Sequence, residues 1–205
     1  MIASSYQARL NTLLASGQRK LLGIVGPPGS GKSTLAQEIQ RLHPTQSIVV
    51  PMDGYHLANS ELARLGKAAR KGAEDTFDSA GFAAMIQRLK TQPSDETIYA
   101  PEFRREIEEP IANAIPIQPE NQLIIVEGNY LLLNSGHWTK LHSLLDETWY
   151  VNVDHALRES RLIQRHMQFG RSEAAAIDWA KNTDGPNAKL IEASKERANV
   201  LFSWE

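Results

Sequence analysis

The run Gly26-Pro27-Pro28-Gly29-Ser30-Gly31-Lys32-Ser33 places glycines, a lysine and a hydroxyl at the spacing that a phosphate chain demands. It satisfies G-x-x-x-x-G-K-[ST] at every fixed position. Glycines let backbone amides approach phosphate oxygens with no Cβ in the way. The amides from about Gly29 to Thr34 are expected to face inward at the positive end of a helix, as a nest for anions. Pro27 and Pro28 have no N–H to give and only stiffen the approach. Lys32 is spaced to reach the β- and γ-phosphates, and the Ser33 hydroxyl to sit on Mg²⁺. A dinucleotide-binding turn fits less well, because Thr34 stands where a third glycine belongs. A bland Gly-Pro turn is the other reading, but a chance match in a chain of ordinary composition is on the order of one in a hundred or less. The pattern predicts a nucleoside triphosphate site.

Phosphoryl chemistry also needs a carboxylate near the terminal phosphate, to accept a proton, hold Mg²⁺ through water or orient a water. Two acids follow apolar runs directly: Asp53 after Ile48 to Met52, and Glu127 after Leu123 to Val126. A hairpin turn at Asp53-Gly54 competes with a functional reading, but the flanks, with Tyr55-His56 on one side, do not alternate as hairpin arms should. For Glu127 the competing reading is a strand-end acid before Gly128. Arg158, Arg161 and Arg165 fall at i, i+3 and i+7 of a helical pattern, with Arg171 just past Gly170. Such a stripe is either a solvated helix face or a mobile lid that neutralises a transferring phosphoryl group. The six histidines are read as lacking an acid one turn away, and no zinc site is expected.

These groups converge only if strands deliver them to one edge of a sheet. Leu21 to Val25 is an apolar run before the glycine-rich loop, and Leu35, Ile39 and Leu42 continue at helical spacing after it, until Pro44. Ile48 to Met52, Leu123 to Val126 and Trp149 to Val153 read as further strands, with a last one at Val200 to Phe202. The runs lack alternation, as strands buried on both faces of a parallel sheet do. Helical spacing recurs at Tyr6, Leu10, Leu13 and Leu14, at Phe82, Met85, Ile86 and Leu89, and over His137 to Leu145. It continues over His155 to Phe169, with Leu157, Leu162 and Ile163 on the apolar side, then over Ala174 to Lys181 and Ala188 to Asn199. Pro93 to Pro119 holds five prolines and reads as an irregular excursion with short extended pieces. Strands alternating with helices predict an α/β fold, a parallel sheet covered on both faces.

Composition bounds the rest. The 205 residues fit one domain over 1–205 and are enough to bury a core without staples. At 41% hydrophobic and 22% charged the chain matches ordinary folded domains, which excludes disorder as its main state. Lys and Arg total 22 against 24 Asp and Glu, so the basic excess of a nucleic-acid binder is missing. With no cysteine, disulfides, thiolate metal sites and cysteine nucleophiles are excluded. No apolar run approaches the roughly 20 residues of a membrane span. The N-terminal pattern is an amphipathic helix, not a signal peptide. A cytoplasmic protein with no nucleic-acid and no membrane partner is expected.

Taken in order, several segments resemble the phosphoribulokinase/uridine kinase family of P-loop kinases. They are Gly26 to Ser33, Pro51-Met52-Asp53-Gly54-Tyr55-His56, Arg70-Lys71-Gly72, Thr76-Phe77-Asp78, Tyr99-Ala100-Pro101-Glu102-Phe103, Val126-Glu127-Gly128-Asn129-Tyr130 and the arginine helix. Within the family they resemble most the pantothenate-kinase-like nucleoside/nucleotide kinase branch, over about residues 20–199. The resemblance implies a three-layer P-loop fold: a five-stranded parallel sheet, helices on both faces and a helical lid. It implies ATP with Mg²⁺, and transfer of the γ-phosphoryl group to a hydroxyl of a small molecule, whether sugar, nucleoside or pantothenate-like.

On that resemblance Asp53 matches the general base, and Glu127 matches the acid ending the Walker B-like strand, beside Ser33 at the metal. Arg161 and Arg165 match lid arginines over the phosphates, and Asn187 a position near the nucleotide base. Tyr55, His56, Arg70, Lys71 and Arg105 fall where the branch lines its acceptor pocket. The chain departs at Phe103-Arg104-Arg105, where the branch commonly reads Phe-Asp-Arg. Arg104 either alters the acceptor pocket or is a surface replacement. A triphosphate-driven switch acting on a protein partner is the alternative the residues leave open, as is the oligomeric state, a homodimer included.

Overall fold

The computed structural model describes residues 2–204. The chain begins with α1 (Ser4–Leu14), β1 (Lys20–Val25), α2 (Lys32–Leu42) and β2 (Ser47–Pro51). A segment outside the main sheet follows, with α3 (Asn59–Arg64), α4 (Ser79–Lys90), β3 (Ile98–Arg104) and β4 (Glu109–Ile117). The chain returns through β5 (Leu123–Gly128), α5 (Leu141–Leu144) and β6 (Glu147–Asn152). It closes with α6 (His155–Gln168), α7 (Glu173–Trp179), α8 (Gly185–Glu192) and β7 (Val200–Ser203).

Five strands form one sheet in the order β2-β5-β1-β6-β7, and every neighbouring pair is parallel. Successive strand residues feed two cores. On one face Leu21, Val25, Val50, Ile124 and Val126 pack with Phe82, Ile86 and Leu89 of α4 and with Trp138. On the other, Leu22, Ile24, Leu123, Ile125 and Val151 pack with Leu10 of α1 and with Leu35 and Ile39 of α2. Both faces are covered, so both must be apolar, and period-two alternation is lost from the sequence. Each such aliphatic side chain taken out of water contributes roughly 1.5–3 kcal/mol. The register sets Gly128 beside Val25 and Pro51 beside Glu127. The glycine-rich loop, Asp53 and Glu127 therefore all leave the sheet at its carboxyl edge, where open α/β sheets bind ligands.

The stretch 93–119 is more regular than its prolines suggest. β3 and β4 form an antiparallel hairpin, with a bulge between Ala100 and Glu102. A two-stranded ribbon has a free edge on each strand, where a proline without N–H breaks no ladder bond, and a bulge is another position proline tolerates. The turn before β4 puts Glu108 at φ 53°, a left-handed conformation unusual for a non-glycine residue. Two helical expectations also shift. α7 runs into a π-helical turn at Ala180–Asp184, and α8 stops at Glu192. On α6 it is Arg158 that is buried with Leu162, whereas Leu157 is 47% exposed.

Candidate active site

The loop between β1 and α2 has glycines where side chains have no room. A Cβ on Gly26 would lie 2.6 Å from Ser30 Oγ. Gly29, at φ +81°, would meet the Arg158 carbonyl oxygen at 2.8 Å, and Gly31 adopts φ +89° as the residue before α2. These left-handed conformations turn successive amides inward and cost a residue with a Cβ more than glycine. Arg158 backs the loop from α6, its Nη1 donating to the Pro28 carbonyl at 3.4 Å. Its burial separates it from the solvated stripe that the sequence spacing allowed.

The two strand-end carboxylates lie on either side of the loop's lysine and serine. Glu127 Oε1 accepts from Ser33 Oγ at 3.1 Å and lies 3.8 Å from Lys32 Nζ. Burial pushes the Glu127 carboxyl up, with Lys32 opposing, and pushes the Lys32 ammonium down, with Glu127 opposing. Asp53 sits in a 3-10 turn, Met52–Tyr55, at the end of β2, and Arg105 Nη2 donates to its Oδ2 at 3.3 Å. Burial acts to raise the Asp53 carboxyl, but the charges of His56, Arg105, Lys32 and Arg165 together hold it below its ordinary value. A carboxylate kept ionised among cations suits a proton acceptor.

A cavity of about 460 Å³ opens over these groups. Lys32, Ser33, Asp53, Glu127 and Arg165 line one part of it, and His56, Lys71, Arg105, Phe77 and Phe103 another. His56 Nδ1 donates to the Asp53 carbonyl at 2.8 Å, since a carbonyl oxygen can only accept. Its ring lies 4.0 Å from that of Phe77 and 4.6 Å from that of Phe103, and burial pushes its pKa down. Lys71 donates to Asn59 Oδ1 at 2.7 Å and to the Glu108 carbonyl, strapping the hairpin tip to the start of α3. Asn129 Oδ1, at the cavity wall, is buried with no partner among the described residues.

The sequence-derived residues divide on this geometry. The structure brings Lys32, Ser33, Asp53, Glu127, Arg165, His56, Lys71 and Arg105 to one cavity. It leaves out Tyr55, whose ring packs on Phe82 at 4.9 Å, and Arg70, which is paired with Asp75 at 3.1 Å. The resemblance assigned both to the acceptor pocket; the turn after β2 sends Tyr55 into the core, and the short helical turn at Ala68–Arg70 gives Arg70 a local acid. Asn187 is buried on α8 and does not line the cavity, and Arg161 lies over Gly31 beside it. Arg104 is outside as well, paired with Glu102 at 2.8 Å on an exposed face.

Other lining residues escaped the sequence reading. His166 and Asp184, 2.8 Å apart, join α6 to the π-helical turn, and the Arg171 guanidinium lies 4.0 Å from the Trp179 ring centre. Nothing local marks that pair, because its members are 18 residues apart. One histidine does have an acid one turn away, contrary to the sequence reading: His155 lies 4.0 Å from Glu159, on the exposed side of α6.

A hard divalent cation suits the donors at the head of α2, a serine hydroxyl and a carboxylate beside an anion nest. Among the described residues no group of three His, Asp or Glu side chains is placed to hold a metal. A cation here would therefore complete its shell with phosphate and water oxygens, as Mg²⁺ does in phosphoryl-transfer sites.

The profile of the Phosphoribulokinase / Uridine kinase family matches residues 21–204, nearly the whole chain. The chain belongs to that family. It is 36% identical over 213 residues to a Schizosaccharomyces pombe protein provisionally named a uridine kinase, covering 97% of this chain and 90% of that one. Among solved structures, a protein from Silicibacter sp. TM1040, provisionally named a fructose transport system kinase, is 36% identical, with TM-score 0.85, 95% of this chain and 98% of that one covered. The Saccharomyces cerevisiae protein YFH7 is 18% identical with TM-score 0.83, covering 98% of both chains, which shows the shared fold. The chain is thus a P-loop kinase of the phosphoribulokinase/uridine kinase family. No helix among its described residues is long and apolar enough to cross a membrane.

Proposed function

We propose that this kinase transfers the γ-phosphoryl group of ATP to a hydroxyl of a small metabolite, of sugar, nucleoside or pantothenate-like character. The observation that carries the reading is that Asp53, held ionised by its neighbours, opens onto the same cavity as Lys32 and Ser33 of the phosphate loop. Loop amides and Lys32 hold the β- and γ-phosphates, and Arg165 meets charge on the transferring group. Asp53 accepts the acceptor's hydroxyl proton as the new P–O bond forms and the bond from the γ-phosphorus to its bridging oxygen breaks, with ADP leaving. Ser33 and Glu127 would hold Mg²⁺, which supplies neutralisation of the phosphate charge when bound. His56, Lys71, Arg105 and Asn129 offer the acceptor its hydrogen bonds, with Phe77 and Phe103 as the apolar wall.

The provisional names of the relatives, a uridine kinase and a fructose transport system kinase, agree with a hydroxyl acceptor but differ on its identity. The test is ADP release from Mg·ATP, alone and with a panel of sugars, nucleosides and pantothenate-like alcohols. Stimulation by one acceptor, with the phosphate recovered on that compound, is the expected result. Slow hydrolysis that no acceptor stimulates would contradict it and favour a switch acting on a protein partner.

A further inference from the structure

The cavity accounts for only one end of a nucleoside triphosphate. Lys32, Glu127, Asp53 and Arg165 all face it from the β2–β5 side of the phosphate loop, so the transferred phosphoryl group lies there. The rest of the donor must leave the loop on its other side, over the carboxyl ends of β6 and β7. Two side chains wait there. Trp204 directly follows β7, and its Nε1 stands 3.1 Å from the point that a Cβ on Gly31 would occupy. Arg161 Nη1 stands 3.9 Å from the same point. Arg161 precedes Arg165 by one helical turn, about 6 Å along α6, so the lid helix runs beside the phosphate chain from its reacting end toward its base.

Neither side chain is used for packing or pairing in a way that explains its place. Neither Arg161 nor the Trp204 indole N–H makes a hydrogen bond or ion pair among the described residues, whereas Arg158 on the same helix is spent on Pro28. The Trp204 ring is held by an edge contact with Phe202, centroids 5.1 Å apart at 88°. An indole fixed by its neighbour and a planar guanidinium are the two surfaces on which a flat base stacks best. We propose that Trp204 and Arg161 together form the seat of the donor's base, on the side of the phosphate loop opposite the acceptor cavity. The seat rests on the reading of Gly26 to Ser33 as a triphosphate loop, and it adds what the loop alone does not provide, a grip on the base.

The probes are Mg·ATP and Mg·tripolyphosphate, the second carrying the phosphates without a base, titrated calorimetrically into wild type, Trp204→Leu and Trp204→Phe. Trp204→Leu should weaken ATP about tenfold, equivalent to about 1.4 kcal/mol, while tripolyphosphate changes less than about twofold. Trp204→Phe, which keeps an aromatic face and the contact with Phe202, should recover most of the ATP affinity. Equal losses for both probes in Trp204→Leu would overturn the proposal, because Trp204 would then only support the loop. Unchanged ATP binding would overturn it too. Wild-type protein that binds neither probe would overturn the triphosphate reading itself, a result distinct from the other two.

Discussion

Asp53 and Glu127 end neighbouring parallel strands, and each is followed by a glycine with no room for a Cβ. On Gly54 that atom would lie 2.3 Å from the Pro101 carbonyl oxygen, and on Gly128 it would lie 2.6 Å from Met52 Cβ. Residue type, burial and strand position match, yet the two carboxyls shift in opposite directions. Glu127 faces one cation, Lys32, and burial dominates. Asp53 faces His56, Arg105, Lys32 and Arg165, and their summed charge wins. Carboxylates pushed apart by their surroundings take different tasks: the ionised Asp53 suits the acceptor's proton, and Glu127, beside Ser33, suits a metal that would displace its proton.

The largest test of that division is Lys32→Met, because Lys32 is the one cation that both carboxylates share. Removing it takes a charge from the β- and γ-phosphates, and kcat should fall about 10³-fold in steady-state turnover. Gly54→Ala comes next. The obstacle is the Pro101 backbone, so the turn carrying Asp53 must shift; thermal or urea unfolding should show a loss of about 1–3 kcal/mol. The same variant should lose turnover beyond what unfolding explains, whereas Gly128→Ala, pressing on a flexible methionine, should lose less.

Arg105→Met sharpens the comparison from the acceptor side. Its cation favours ionised Asp53, so its removal favours the protonated form and raises the Asp53 pKa. The acid limb of kcat/KM should move to higher pH, with kcat/KM lower by about tenfold at neutral pH. A limb that stays in place would show that Arg105 does not tune the base. Smallest is Tyr130→Phe. The Tyr130 hydroxyl donates to the Gly72 carbonyl at 2.6 Å and ties the end of β5 to the acceptor loop. Its loss should cost about 1 kcal/mol in urea unfolding, with acceptor KM affected more than ATP affinity.

The donor side was the more legible part of the sequence. Glycine, lysine and serine at fixed spacing have one geometry, and the apolar runs of β1, β2 and β5 left little choice but a parallel sheet buried on both faces. The carboxylates could be picked out because each closes such a run. Their electrostatic difference was not legible, since Arg105 reaches Asp53 across 52 residues. The acceptor side was harder for the same reason. Prolines hid the β3–β4 hairpin, and Tyr55 and Arg70 sit in motif segments yet turn away from the cavity, because a local acid and a core aromatic claim them. Arg158 looked equivalent to Arg161 and Arg165 by spacing, and only the packing of α6 on Gly29 separates them.

The account's central claim is the division of labour between the two strand-end carboxylates, and one paired measurement tests it: turnover and Mg·ATP binding in Asp53→Asn and Glu127→Gln. Asp53→Asn should lower kcat about 10²- to 10⁴-fold and leave Mg·ATP affinity close to wild type. Glu127→Gln should raise the Mg²⁺ concentration needed for half-maximal ATP binding, by about tenfold or more. Equal effects of both substitutions on Mg²⁺ dependence, or acceptor-dependent turnover near the wild-type rate in Asp53→Asn, would contradict it.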